Sequence, residues 1–350
     1  MNILNLAELT DLEVDRNIKE IKDKISTDLF IPVHHYQRNE IVQFADYTGD
    51  SLELSRVSAQ TKAKYIVFCG VYFMAEIARV LSSEEKMVFM PNRDAGCPLA
   101  EHGNLSDIRF VWDRLQMIHQ NEWIPVTYAN SHADVKAFCG RYDGLVCTSS
   151  NVKKVFQTIL NDNKRIFFMP DKNLGVNTAV SLGMENDFAV VDRESASSME
   201  AVERKRIAIW NGYCYVHTVF TVERVKLFRE RDPEFRIIVH PECNPDVVRE
   251  ADVVGSTSFL KRTIEESEPG SKWVVGTETI FVNRLKEVHE DKVIEPLDRS
   301  VCLNMSMNRR RDLLKILMAI QQQDFSQAIV VPPDVRDDAK KAISRMLEIS

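Results

Sequence analysis

Apolar residues recur along the chain in two different ways. Near the start, Leu12, Val14, Ile18, Ile21 and Ile25 fall close to helical spacing and predict a helix over 11–25. Near the end, Leu313, Leu314, Ile316 and Leu317 repeat that spacing. Pro332 and Pro333 interrupt it, and Ala339, Ala342, Ile343, Met346 and Leu347 resume it. Between these ends, short apolar runs alternate with amphipathic stretches, the pattern of βαβ units with parallel sheets. The expected class is α/β.

The runs also repeat. A first set reads LFIPVHHYQ, YIVFCG and MVFMPNRDAG; a second reads WIPVTYANS, GLVCTSS and RIFFMPDKNLG. Ile-Pro-Val recurs at 31–33 and 124–126, a strand ending in cysteine at Cys69 and Cys147, and Phe-Met-Pro at 89–91 and 168–170. A looser third set comprises RIAIWNGYC, FRIIVHPEC, VVGSTS and KWVVGTE. We read three similar αβα units with small parallel sheets. They span 28–115, 116–200 and 201–300, preceded by an N-terminal helix in 1–27 and followed by a C-terminal segment, 301–350.

Polar residues follow almost every run: His34 and Tyr36, Tyr128 and Asn130, Ser149 and Ser150, His240 and Glu242, Ser256 and Thr257. Ligands of open parallel sheets bind at the carboxyl ends of the strands. Three units facing inward would pool these residues in a central interdomain crevice, the expected active site. The segments at 49–59, 148–160 and 255–267 each set small polar residues before a helical run. Each reads as an N-cap; together they offer three helix N-termini to anionic groups. His240 and Glu242 in HPEC, two residues apart after a strand, supply an acid and a base or a solvated polar loop. HHYQ at 34–37 reads similarly, with Tyr36 a proton donor and His34 an anion partner.

Charge narrows the partners. The chain has 350 residues, with 45 Lys plus Arg against 52 Asp plus Glu, a net charge of −7, so no general attraction to nucleic acid or an anionic membrane is expected. No apolar run approaches the roughly 20 residues of a membrane span. The acidic, amphipathic start is unlike a secretory or transit signal, which predicts a cytoplasmic location. In that reducing compartment seven cysteines do not build a disulfide framework, and no Cys-x-x-Cys pair occurs. Cys69 and Cys147 lie in apolar runs and Cys139 in a stretch of helical pattern, as structural thiols would; Cys243 is ambiguous. Cys97, Cys214 and Cys302 sit in loop-like settings beside Gly, Pro or Asn. They read either as small buried residues or as metal ligands converging on an open site.

Taken together, HHYQ, GDSLELS, VFCGVYFMAEIARVL, AGCPLA, TYANSHADVKA, CTSSN, MPDKNLG, GYCYVH, HPEC, ADVVGSTS, GTE and CLNMSMN resemble the quinolinate synthase (NadA) family from about residue 28 to the C-terminus. The resemblance implies condensation of iminoaspartate with dihydroxyacetone phosphate to quinolinate, with loss of phosphate and water, in NAD biosynthesis. It implies three domains about a pseudo-threefold axis and a [4Fe-4S] cluster on Cys97, Cys214 and Cys302, whose fourth iron is a Lewis acid. It makes Tyr36 a proton shuttle, His34 a substrate contact, and Glu242 with His240 the acid–base pair. Ser51, Ser149 and Thr257 become hydroxyls that hold carboxylate or phosphate, and Tyr128 and Asn130 line the cavity. An L-aspartate oxidase is the implied source of the imine.

The sequence departs from the family pattern at His35, Asn92, Ala129 and His132, none of them a proposed ligand. Cys302 stands alone where some relatives carry a Cys-x-x-Cys, so a disulfide switch there is not expected. The rival readings are a non-catalytic iron–sulfur or small-anion sensor on the same scaffold, and an iron–sulfur hydro-lyase. Neither accounts for the whole string of motifs.

Overall fold

The central apolar runs are strands, and every strand pairing among the described residues is parallel. The computed structural model describes residues 6–194 and 200–349. Residues 1–5 of the expected N-terminal segment, 195–199 of the second expected unit and 350 of the C-terminal segment lie outside the described residues. Packing divides the chain into two units: Met1–Gly96 with Cys302–Val331, and Cys97–Val301 with Pro332–Ser350.

In the first unit, helix Asp11–Ile25 opens with a capping box. Thr10 Oγ1 accepts from Glu13 N at 3.3 Å, and Glu13 Oε2 accepts from Thr10 N at 2.8 Å. The helix buries Val14, Ile18 and Ile21 in one core with Leu313, Leu314 and Leu317 of helix Arg310–Gln321. Leu12, expected on the same stripe, is 82% exposed. It lies two residues before Val14, about 160° around the helix from it. Strands β1 (Leu29–Phe30), β2 (Pro32–His34), β3 (Tyr47–Gly49), β4 (Tyr65–Val67) and β5 (Met87–Phe89) follow. They form a sheet in the order β1-β4-β5 and a pair β2-β3, with Val33 bridged to Cys69. Helices Ser51–Gln60 and Tyr72–Leu81 make the crossovers that parallel pairing requires.

In the second unit, β6 (Trp123–Tyr128), β7 (Leu145–Cys147), β8 (Arg165–Met169), β9 (Phe188–Val191) and β10 (Ile207–Trp210) form one sheet in the order β7-β6-β8-β10-β9. Strands β11 (Arg236–Val239), β12 (Val253–Val254), β13 (Lys272–Gly276) and β14 (Val293–Pro296) form another, β12-β11-β13-β14. The run RIAIW, grouped from sequence with the third unit, therefore belongs to the sheet of the second. Ile207, Ala208 and Ile209 pair with Ile166, Phe167 and Phe168, and β9 covers the other edge. All four residues of β10 are buried, as a strand apolar on both faces requires.

Helix Pro333–Ile349 begins at the second proline of the break, where a missing N–H costs nothing. It packs on helix Ala133–Arg141 so closely that a Cβ on Gly140 would stand 1.9 Å from Asp338 O. Arg141 Nε to Asp338 Oδ2 at 2.5 Å and Arg345 Nη1 to Gly144 O at 2.7 Å fix the contact. No helix among the described residues is long and apolar enough to cross a membrane.

Candidate active site

In the second unit the loops after strands carry one buried network. Tyr128 ends β6, the HPEC turn follows β11 and Thr277 follows β13. Tyr128 Oη donates to Glu242 Oε1 at 2.5 Å. His217 Nδ1 lies 2.8 Å from Glu242 Oε2, and its Nε2 lies 3.0 Å from Thr277 Oγ1. His240 stacks on His217 with ring centroids 4.4 Å apart. Tyr128, His217, His240, Glu242 and Thr277 are all buried.

The negative charge of this network resides on Glu242. Burial alone would raise its pKa. The His217 and His240 rings and the hydrogen bonds from His217 and Tyr128 outweigh that and hold the carboxyl below the usual range. Tyr128 is pushed well above its ordinary value by burial, then by the Glu242 charge and their hydrogen bond, against a hydrogen bond from Ser149. It therefore stays a phenol that donates. Burial, followed by the facing His217, lowers His240 to about 3, against the pull of Glu242, so the ring is neutral at neutral pH. Glu242 N donates to His240 Nδ1 at 3.3 Å, which leaves the ring proton on Nε2.

Residues not singled out from the sequence hold these groups in place. Asn173 Nδ2 donates to Glu242 O at 3.2 Å, and Asn177 Nδ2 donates to Pro241 O at 2.8 Å and Cys243 O at 2.9 Å, so helix Lys172–Ser181 grips the HPEC backbone. Asp171 caps that helix through Leu174 N at 2.7 Å, and the Cys214 N–H also points at its carboxyl. Lys172 N donates to Gly212 O at 2.7 Å, tying the Cys214 loop to the same helix start. Burial and then the Glu242 charge raise the Asp171 carboxyl well above its ordinary value, against the backbone N–H groups of Leu174, Cys214 and Asn173. The buried Lys136 ammonium donates to Ser131 O and, at 3.2 Å, to Ser131 Oγ, which donates to Tyr128 O at 2.8 Å. That chain fixes the turn carrying Tyr128 and Asn130. His217 had one legible signal, the Cys214-x-x-His217 spacing; the asparagines, Asp171 and Lys136 had none.

The structure thus brings Tyr128, Ser149, His240 and Glu242 together. Asn130 is half-buried, and its Oδ1 has no hydrogen-bond partner among the described residues. Thr257 is the buried first residue of helix Thr257–Glu265, whose cap is Ser256. His34, Tyr36 and Ser51 belong to the first unit. There Tyr36 N donates to His34 Nδ1 at 3.1 Å, the same turn that His240 and Glu242 make, and the two rings meet edge-on at 4.8 Å. Ser51 opens helix Ser51–Gln60, and Asp50 caps it through Leu52 N at 3.0 Å and Glu53 N at 3.1 Å. The caps themselves are Asp50 and Ser256, which leaves Ser51 and Thr257 at the first helical position. Of the departures, His132 pairs with Glu101 at 2.8 Å and Asn92 N donates to Asn308 Oδ1 at 3.2 Å.

The seven cysteines divide by burial. Cys69, Cys139, Cys147 and Cys243 are fully buried, and burial raises each thiol above its ordinary value. Cys97, Cys214 and Cys302 are the half-exposed three. The thiolate is the metal-binding form, and burial disfavours it. The three cysteines expected from sequence as ligands are thus the three that are not fully buried.

The family model described as "Quinolinate synthetase A protein" matches residues 16–348. The chain is 43% identical to the quinolinate synthase of Bacillus subtilis (strain 168) over 349 residues, covering 98% of this chain and 95% of the other. It is 41% identical to that of Geobacillus sp. (strain WCH70) over 344 residues, covering 97% and 94%. To that of Halalkalibacterium halodurans it is 41% identical over 348 residues, covering 97% and 95%. These similarities run over the strand-end loops that carry Tyr128, Glu242 and the half-exposed cysteines, and they extend to both ends of the fold: the chain belongs to the quinolinate synthase family.

Proposed function

We propose that this chain condenses iminoaspartate with dihydroxyacetone phosphate to quinolinate, releasing phosphate and water, with Glu242 as the proton acceptor. The observation that carries the reading is the buried Glu242 carboxylate held between the Tyr128 phenol and the His217 imidazole. Ring formation and dehydration require protons to leave carbon and protons to reach departing oxygens. Glu242 holds the charge that accepts a proton, and Tyr128, bonded to it, passes one across. The neutral His240, with its proton on Nε2, presents a donor without adding charge. Tyr36, set against His34 by the equivalent turn, is the second phenolic donor.

The substrates carry carboxylates and a phosphate. Ser51 and Thr257 open helices Ser51–Gln60 and Thr257–Glu265, and Ser149 lies in the turn just before helix Val152–Asn161, near helix starts where backbone N–H groups and the positive dipole end favour anions. The unpartnered Asn130 Oδ1 is an acceptor for a substrate N–H or O–H. Cys97, Cys214 and Cys302 would hold the [4Fe-4S] centre. Held by three cysteines, such a centre would supply Lewis-acid chemistry to the substrate. An L-aspartate oxidase is the proposed source of the imine.

Anaerobically purified protein, given freshly generated iminoaspartate and the triose phosphate, is expected to form quinolinate with phosphate release. Protein with its full iron and sulfide content that forms none would overturn the proposal and favour a sensor.

A further inference from the structure

We propose that Cys214, His217 and Glu242 form a mononuclear site for a divalent ion of the zinc class in the chain that lacks its iron–sulfur centre. One thiol sulfur, one imidazole nitrogen and one carboxylate oxygen lie within 4.8 Å of one another. Bonds of about 2.0–2.3 Å to sulfur, nitrogen and oxygen span such a triangle after small side-chain movements. Cys214 and His217 come from one tight turn, in which His217 N and Thr218 N both donate to Cys214 O at 3.2 Å. Glu242 is brought to that turn by the HPEC loop.

The surroundings suit an ion. His217 and Glu242 are each 2% exposed, so these two donors are shielded from competing water, while the half-exposed Cys214 lies on the side from which an ion would enter. Thr277 Oγ1 at 3.0 Å from His217 Nε2 and Tyr128 Oη at 2.5 Å from Glu242 Oε1 orient the two ligands from behind, the outer support that metal-bound imidazoles and carboxylates have. On binding, the imidazole proton moves from Nδ1 to Nε2, where Thr277 accepts it, and the Cys214 thiol proton leaves to solvent. Thiolate and carboxylate then carry two negative charges against the two positive charges of the ion, and the buried site is neutral. Three protein ligands with a fourth position open match catalytic-type zinc coordination. The mixed sulfur, nitrogen and oxygen set favours zinc or cobalt over calcium or magnesium. Because Cys214 is a cluster ligand in the proposed function, occupancy by zinc and assembly of the centre exclude each other.

Cobalt reports the site directly. The full-length chain, stripped of iron and sulfide and kept reduced, is titrated with Co2+, and the thiolate-to-cobalt charge-transfer band and the visible d–d bands are followed. One equivalent with tetrahedral-type bands is expected for wild type, Cys97→Ser and Cys302→Ser alike. Cys214→Ser is expected to lose the charge-transfer band and His217→Ala to bind far more weakly. Thr277→Val, which leaves all three ligands in place, is expected to weaken binding by about 10-fold or more. A band that survives Cys214→Ser, or that disappears in Cys97→Ser or Cys302→Ser, would overturn the assignment. The readout is independent of quinolinate formation, so failure here leaves the proposed function standing.

Discussion

Replacing Glu242 by Gln removes a charge and keeps the shape of the side chain. Glu242 now accepts from Tyr128 Oη at 2.5 Å on one oxygen and faces His217 Nδ1 at 2.8 Å on the other. An amide has one acceptor end and one donor end. With its oxygen toward Tyr128, its NH2 meets His217, which can turn Nδ1 into an acceptor by moving its proton to Nε2 and Thr277. The network stays satisfied at the loss of charge-assisted bonds, about 1.5–3 kcal/mol each, offset by no longer burying an anion. Folding and cluster content should therefore change little. Proton transfer should not survive, because the amide accepts no proton. General acid–base catalysis is worth about 10²–10⁴-fold, or roughly 2.7–5.4 kcal/mol of barrier. The expected result is a kcat lower by that factor, a KM within a few-fold of wild type and retained quinolinate binding. The assay is anaerobic, with quinolinate quantified by chromatography and iron measured on the same sample. A kcat within about threefold of wild type would refute the acid–base role, since that is under 1 kcal/mol. Loss of iron together with activity would refute it too, by making Glu242 a structural support.

Three further outcomes follow from the structure. His240 titrates near 3 when folded against an ordinary value of 6.5, so its contribution to stability is present above pH 6.5 and is lost as the pH falls toward 3. Between pH 6.5 and about pH 5 that amounts to about 2 kcal/mol, read from urea midpoints as the narrowing gap between wild type and His240→Gln. Asp171, raised when folded, works the opposite way in both proteins and cancels from the difference; an unchanged gap would contradict a buried neutral His240. Gly140→Ala should destabilise by about 1–3 kcal/mol despite a helix-propensity gain of about 1 kcal/mol, because the new Cβ meets Asp338 O. A rise in Tm would show that the C-terminal helix is not packed as described. Cys139→Ser should leave iron, sulfide and turnover intact, because that thiol is fully buried and burial holds it in the protonated form.

What the sequence disclosed depended on how local the signal was. Strands such as Arg165–Met169 and Lys272–Gly276 are short apolar runs between turns, and buried parallel strands read that way. The Pro332–Pro333 break marked the start of the last helix, since a proline is tolerated only in the first turn. The sheet to which β10 belongs was not legible, because pairing between β8 and β9 is a long-range choice that leaves no pattern within RIAIW. In the site, Tyr128 and Glu242 stood out as polar residues directly after strands. Asn173, Asn177 and Lys136 act through contacts with backbone carbonyls of distant or neighbouring turns, and helical spacing alone makes them look like ordinary solvated positions. His217 is legible only through its spacing from Cys214, three residues before it, and a single Cys-x-x-His carries little signal without a second pair.

The central claim is that three of seven cysteines hold an iron–sulfur centre, and iron with acid-labile sulfide per chain tests it most directly. Protein purified without oxygen should carry about four of each, the content of one [4Fe-4S] centre. Serine at Cys97, Cys214 or Cys302 should abolish both, and serine at Cys139 should not. No iron or sulfide after reconstitution, or loss of both in Cys139→Ser, would contradict the account.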